Sequence, residues 1–330
     1  MTITVIICTY NRCQSLAKTL ESVAVSVLPD AVEWEVLVVN NNSNDQTRQV
    51  VEDFCRRYPG RFRYLFEPHQ GLSYARNAGI REARSSILAF TDDDATVEPN
   101  WLCNLTAELL AGACTGAGGR IVPVWGKAVP SWLSTNDPQA MSPFVAFDLG
   151  ENAGPLTRPP YGANMAFRTE AFKRHGGFRV DLGRSGINLQ GREEIQFANR
   201  LLAAGERLRY EPDAVVRHPV PEGRMKKRYV LRWWYWYGRS EVAEAGPPDA
   251  RWLLGGVPLC LFRRLARWGL QAMVSTSAPR RFSCMCNVWY LAGTMMACYR
   301  WRRHNQHRGS ADRLRGTQPE RSASQPGTPI

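Results

Sequence analysis

The sequence lacks an internal repeat, a secretory leader and a cysteine framework, and each lack removes a class of protein. No segment recurs at a fixed spacing, which excludes a repeat architecture. The opening "MTITVIICTYNR" has no basic n-region and an apolar run too short for an h-region, so it reads as a first β-strand. The 9 cysteines are irregularly spaced: Cys8 sits in an apolar strand pattern, and Cys284 and Cys286 are too close for an ordinary disulfide framework. Reduced, mostly buried thiols in a cytoplasmic protein are expected. Cys284-Met-Cys286 also has no partner pair at zinc spacing.

Acidic residues are scarce. Asp and Glu number 30 against 42 Lys and Arg, a net charge of +12. The excess implies an anionic partner: nucleic acid, an acidic membrane surface or a phosphorylated small molecule. Much of the basic charge lies in the last third, in "EGRMKKRYVLRWW", "CLFRRLARW" and "YRWRRHNQHR". Long apolar runs are also few. The best candidate, "FSCMCNVWYLAGTMMACY" at 282–299, is 18 residues flanked by arginines, at the short edge of a membrane span. Met285, Trp289, Ala292 and Met296 fit one face of a helix lying on an anionic membrane surface, while an ordinary helical layer over a sheet is the plain alternative. No nucleic-acid-binding motif accompanies the basic charge, so a nucleic-acid partner is not expected.

Strand patterns rich in Val, Ile or aromatic residues occur at "ITVIICT", "EWEVLVVN", "RFRYLFE" and "SILAF". Helical spacing occupies the gaps, in "SLAKTLESVAVSVL", "DQTRQVVEDFCRRY" and "LSYARNAGIREAR". Asn44 or Asp45 is the expected N-cap of the second helix, and Tyr58-Pro59-Gly60 its stop. This alternation predicts an α/β fold with a mainly parallel sheet, and ligands then bind beyond the carboxyl ends of the strands. Residues 126–160 read as a long irregular connection of the kind that often carries function. Strand and helix patterns resume at "GANMAFRTEAF" and "GREEIQFANRLLAAGERLRYEPDAVVRHPV".

The strand ends carry the chemistry. "TYNR" (Thr9, Tyr10, Asn11, Arg12) follows the first strand and Asn40 ends the second, where it could meet a ligand or form an Asx-type turn. Arg76, near the start of the third helix, suits a diphosphate beside helix-start amides. Asp92, Asp93 and Asp94 end an apolar run. Adjacent carboxylates repel one another unless something positive neutralises them, and Mg²⁺ or Mn²⁺ would do so. A solvated turn is the alternative. Glu193-Glu194 opens a helix pattern, where one carboxylate can be a dipole complement and the other a general base. His218 in "VVRHPVP" could ligate a metal or cap a strand end.

In order and spacing, "VIICTYNR", "VLVVNNNSND", "HQGLSYARNAGI", "FTDDDATVEPNWL", "YGANMAFR", "GREEIQFANRL" and "YEPDAVVRHPVP" resemble the family 2 glycosyltransferases, over roughly residues 3–224. The resemblance implies the GT-A fold, a Rossmann-like mainly parallel sheet flanked by helices. It implies a nucleotide-sugar donor, here expected to be a UDP-sugar, a divalent cation (Mg²⁺ or Mn²⁺) and transfer with inversion. It places Thr9, Tyr10, Asn11 and Arg12 in the nucleotide pocket, with Asn40 where the family usually has a base-contacting aspartate. Arg76 would hold the diphosphate, Asp92 and Asp93 the ribose and nearby water, and Asp94, with His218, the metal. Glu194 stands for the catalytic carboxylate that usually ends a Glu-Asp pair, beside Glu193. Gly162 and Asn164 fall on the segment flanking donor sugar and acceptor. Tyr229 replaces the Gln of the processive Gln-x-x-Arg-Trp signature, which argues against a processive polymerase.

The expected organisation is a catalytic domain at 1–224, a basic and aromatic helical region at 225–305 and a disordered tail at 306–330. The expected acceptor is a glycan or lipid-linked sugar, in cell-surface polysaccharide or glycoconjugate biosynthesis, with the protein peripheral on the cytoplasmic face of a membrane. Two alternatives stand beside this reading. "DDDAT" fits the Asp-x-Asp-x-Thr pattern of haloacid-dehalogenase-like phosphatases, with Asp92 as nucleophile and Asp94 as acid/base. An inactive nucleotide-sugar-binding protein would keep the fold without catalysis.

Overall fold

The β-branched stretches form the strands their composition favours, and the sheet they build fixes the order of everything else. The computed structural model describes residues 2–186 and 188–315. β1 (Thr2–Thr9), β2 (Glu33–Asn40), β3 (Phe62–Phe66) and β4 (Ile87–Asp92) alternate with α1 (Cys13–Ala24), α2 (Thr47–Arg57) and α3 (Leu72–Glu82). Their spatial order is β3-β2-β1-β4, with every pairing parallel. Side chains alternate across the sheet as a strand requires. Ile3, Val5, Ile7, Val36 and Val38 pack under α1 and α2, and Ile6, Leu37, Val39, Leu88 and Phe90 pack on the other face with α3.

The chain then passes through β5 (Thr96–Val97), α4 (Trp101–Leu110), β6 (Gly116–Trp125), α5 (Pro138–Met141) and β7 (Gly154–Pro155). β8 (Met165–Arg168), α6 (Thr169–His175), α7 (Glu193–Ala203) and β9 (Leu208–Val220) complete the domain. β8 joins β4 and β6 antiparallel, β9 runs parallel to β6, and β5 and β7 pair antiparallel with β9. Beneath this half lies an aromatic cluster, in which Phe172 and Phe197 stack with centroids 4.5 Å apart. The segment 126–160 is less irregular than its composition suggests, since it holds α5, a 3₁₀ turn at Ser142–Phe144 and β7. The expected N-cap of α2 also shifts, because Gln46 holds that position. Asp45, just before it, accepts from the Thr47 and Cys13 amides and so ties α1 to α2.

A helical layer follows: α8 (Lys227–Ala245), the short hairpin β10 (Leu253–Leu254) and β11 (Val257–Pro258), α9 (Leu259–Val274) and α10 (Ala278–Arg315). α8 and α10 touch backbone to backbone. A Cβ on Gly238 would collide with the Tyr290 carbonyl, and one on Gly293 with that of Tyr235. Among the described residues no helix is long and apolar enough to cross a membrane. The 282–299 stretch is part of α10, with Phe282, Cys284, Cys286, Leu291 and Cys298 buried. α10 continues to Arg315, ten residues into the segment read as a disordered tail; residues 316–330 lie outside the described ones. All nine cysteines are free thiols, and Cys260 alone among them is exposed.

Candidate active site

A cavity of about 290 Å³ opens where the carboxyl ends of β1 and β4 meet the amino end of α7. The sheet and α3 supply Thr9, Tyr10, Arg12, Asn41, Arg76, Asp92 and Asp93 to its lining. Tyr161, Gly162, Arg192, Glu193, Glu194, Trp233 and Tyr237 line it as well. The 126–160 connection contributes Ser142 and Val145 to the wall. Val145 is held at φ 61°, a conformation that costs a β-branched residue energy and often marks a functional site.

The three aspartates diverge. β4 ends at Asp92, so Asp93 and Asp94 occupy the turn and point differently. Asp92, Asp94 and His218 turn ligand atoms toward one point, all within 4.8 Å of one another. His218 Nε2 lies 3.3 Å from Asp94 Oδ1 and 3.7 Å from Asp92 Oδ2. Burial works against the charged imidazole, but hydrogen bonds to the two carboxylates win and push its pKa up to about 9. Burial likewise opposes the charge on Asp94, yet the His218 hydrogen bond, with Arg12 and Arg224 nearby, holds it well below the usual carboxylate range. Asp93 goes instead to Arg12 Nη1 at 2.9 Å, and burial pushes its carboxyl up to about 6. Arg12 Nη1 also reaches Asp94 Oδ2 at 3.0 Å, and Arg224 Nη2 approaches the same oxygen at 3.4 Å.

A buried imidazole aimed at two carboxylates beside a cavity is a three-donor set that suits a divalent cation. Carboxylates suit Mg²⁺ and Mn²⁺, while the imidazole nitrogen favours the softer transition ion. The set fits the cation expected from the sequence.

Arg76 and the glutamates form the second group. Arg76 Nη1 donates to Glu193 Oε1 at 2.6 Å, and the two side chains are only 4% and 3% exposed. Nη2 of the same guanidinium lies 3.8 Å from Asp92 Oδ1, so Arg76 links Glu193 to the aspartate run. Gly162 makes room for it, since a Cβ there would collide with the guanidinium and lie 2.8 Å from Cζ. Arg192 precedes α7 in the left-handed region at φ 80°, its guanidinium paired with Glu244 and packed 4.9 Å from the Tyr237 ring centroid. This turn sets Glu193 and Glu194 on the first turn of α7. Glu194 is partly exposed, and its Oε2 has no hydrogen-bond partner. Burial and the adjacent Glu193 charge push its pKa up to about 8, against the pull of Arg76. Beside it, Trp233 and Tyr237 stack with centroids 5.0 Å apart and planes 21° from parallel.

Three residues singled out from the sequence are turned away from the cavity. Asn40 forms the Asx-type turn, its Oδ1 accepting from the Ser43 amide and its Nδ2 donating to Tyr64 Oη. The neighbouring Asn41 lines the cavity instead. Asn11, at φ 52°, bonds the 43–44 turn through its backbone amide and its side chain. Asn164 is fully buried. It accepts from Trp101 Nε1 at 2.8 Å and donates to the carbonyls of Arg120 and Ala214. Sequence reasoning passed over Asn41, Arg192, Arg224, Trp233 and Tyr237. "RWWYWYGR" held the last two in plain view as an aromatic run spaced to stack on one helix face.

Cavity, carboxylate ends and sheet order define the GT-A class of glycosyltransferase. Residues 4–176 match the sequence profile of Glycosyl transferase family 2. The chain is 33% identical over 230 residues to the succinoglycan biosynthesis protein ExoM of Rhizobium meliloti (strain 1021), covering 68% of this chain and 69% of that one. It is 29% identical over 249 residues to a glucosyl-dolichyl phosphate glucuronosyltransferase of Haloferax volcanii, covering 73% and 76%. Among solved structures it resembles the mannosyltransferase PcManGT from Pyrobaculum calidifontis, in complex with GDP-Man and Mn²⁺, with a TM-score of 0.54 at 18% identity. That alignment covers 94% of this chain and 80% of the other. The protein belongs to glycosyl transferase family 2.

Proposed function

We propose that this glycosyltransferase moves a sugar from a nucleoside diphosphate, a UDP-sugar in the first instance, to a hydroxyl of a glycan or lipid-linked acceptor, with inversion. The observation that carries this reading is a single cavity lined by Asp92, Asp93 and Glu194 together. The names of the relatives support the setting: one acts in succinoglycan biosynthesis and one is named for a lipid-linked sugar. We assign the catalytic unit to residues 1–224 and acceptor contacts to α8 as well.

In this reading the nucleotide lies over Thr9, Tyr10 and Asn41. A divalent cation held by Asp92, Asp94 and His218 would supply positive charge against that growing on the leaving nucleoside diphosphate. Arg12, 3.0 Å from Asp94, adds a second positive charge beside it. Arg76, committed to Glu193, fixes both carboxylate groups in position. Glu194 takes the proton of the acceptor hydroxyl as its oxygen attacks the anomeric carbon, and a base with pKa near the working pH suits that task. The Trp233–Tyr237 stack offers the acceptor sugar an apolar wall.

The phosphatase alternative requires its aspartates at the end of the first strand of the domain. Here they end the fourth, and Asp92 and Asp94 are committed to His218. Thermal unfolding with a panel of nucleoside diphosphates and their sugars, with and without Mn²⁺, tests the proposal. Stabilisation by one sugar nucleotide only with the ion is expected. No response to any member of the panel would contradict it.

A further inference from the structure

Between Ala250 and Arg303 the chain has nine arginines and no aspartate or glutamate. The same stretch exposes large apolar side chains. On α10, Met285, Trp289, Met296 and Tyr299 are all exposed. Their spacing puts them on one stripe, with exposed Arg281 and Arg303 at its two ends, about 33 Å apart along the helix. The flanks of α10 are taken: Gly293 meets α8, and Leu291 and Cys298 are buried in the cluster that holds Leu261 of α9. The stripe between them is partly exposed, from 36% at Met285 to 43% at Trp289.

α9 extends this surface. Its first three turns expose Arg263, Arg264 and Arg267. Its last turns expose Leu270 at 60%, Met273 at 79% and Val274 at 69%. These lie next to the start of α10, where Arg281 donates to the Ser275 carbonyl. Trp252 and Leu254 of the β10–β11 hairpin are exposed as well, with Arg251 packed on the Trp252 ring. Apolar side chains interspersed with arginine, on elements that contribute no carboxylate of their own, match the boundary of an anionic bilayer. Two copies of this face would bring like charges together, which disfavours self-association.

We propose that the α9–α10 face docks on a bilayer of anionic lipid, with Met285, Trp289, Met296, Leu270 and Met273 entering the headgroup boundary and Arg263, Arg267 and Arg281 meeting lipid phosphates. The arrangement has a consequence for the active site. The Trp289 ring packs edge-on against Tyr235 of α8, and Trp233 and Tyr237 of that same helix line the cavity. One helix therefore separates the docking face from the acceptor wall, so a membrane-held acceptor has a short path to Glu194. The docking itself does not depend on the identity of donor or acceptor.

Co-sedimentation of the full chain with vesicles tests it, using phosphatidylglycerol–phosphatidylethanolamine against phosphatidylcholine. The protein is expected to pellet with the anionic vesicles at low salt, to be released at high salt, and to ignore phosphatidylcholine. Each arginine contributes about fivefold to partitioning, so Arg263→Glu with Arg267→Glu should weaken binding by about twentyfold or more. Met285→Glu with Met296→Glu should also release the protein, while both pairs keep the wild-type melting temperature and Mn²⁺-dependent nucleotide response. Wild-type protein left in the supernatant, equal pelleting with phosphatidylcholine, or variants that pellet like wild type would overturn the proposal. So would a solution dimer that the methionine pair dissociates, since the face would then belong to a second copy.

Discussion

Replacing Gly162 by alanine perturbs the site through one side chain. The backbone at Gly162 is outside the left-handed region, so alanine is tolerated conformationally. The added Cβ would lie 2.8 Å from Arg76 Cζ and 3.1 Å from Nη1. A flexible arginine tip on the surface would move aside at little cost. This one is 4% exposed and bonded at 2.6 Å to a glutamate that is itself 3% exposed. Overpacking of this kind costs about 1–3 kcal/mol. Arg76→Ala removes the partner altogether, leaves Glu193 buried and uncompensated, and should cost about 3–5 kcal/mol. If the collision is the whole effect, Gly162→Ala should add less than about 0.5 kcal/mol in the Arg76→Ala background. Urea unfolding of the four proteins reads the cycle. The same displacement turns more of the Glu193 charge on Glu194, so the acid limb of the transfer rate should move to higher pH. Additive losses, or an unmoved acid limb in Gly162→Ala, would refute the reasoning.

Asn164→Ala should cost about 2–4 kcal/mol by stranding the Trp101 indole N–H and two carbonyls, with little change in the KM of the acceptor; a raised KM at unchanged stability would contradict its structural role. The His218 pKa is raised from 6.5 to about 9 in the ion-free fold, so its pairs stabilise fully below pH 6.5 and that stability is lost as pH rises through about 9. The ion must displace that proton, so Mn²⁺ affinity should climb by up to about tenfold per pH unit across this window, a slope calorimetry can read and His218→Ala should abolish. The acid limb of kcat/KM should extend above the ordinary carboxylate range, toward the value of about 8 at Glu194, as pH–rate profiles will show.

The parallel half of the sheet is legible because β1, β2 and β4 are apolar and largely buried on both faces, β3 is rich in aromatics, and turn residues separate them at helix boundaries. β6 is not legible as a strand, since "GAGGRIVPVW" carries glycines and a proline that strand propensity disfavours. Those glycines serve close packing, which no local pattern reveals. Site residues at strand ends were readable to within a residue, and that margin mattered: Asn40 and Asn41 face different ways, and only Asn41 meets the cavity. The aspartate run gave away a charged site but not its division of labour. That division depends on His218 and Arg12, which lie far away in sequence and meet Asp94 and Asp93 only in the fold. Arg224 sits in an unremarkable basic stretch and becomes notable only by reaching Asp94.

The central claim is that Glu194 removes the acceptor proton while the aspartate and Arg12 group holds the donor. Glu194→Gln keeps the size of the side chain and removes its charge, so it separates the two roles. Transfer should fall by a factor of about 10²–10⁴, the usual contribution of a general base. Mn²⁺-dependent stabilisation by the donor should stay nearly as in the wild type. Transfer at the wild-type rate by this variant, with donor binding intact, would contradict the account.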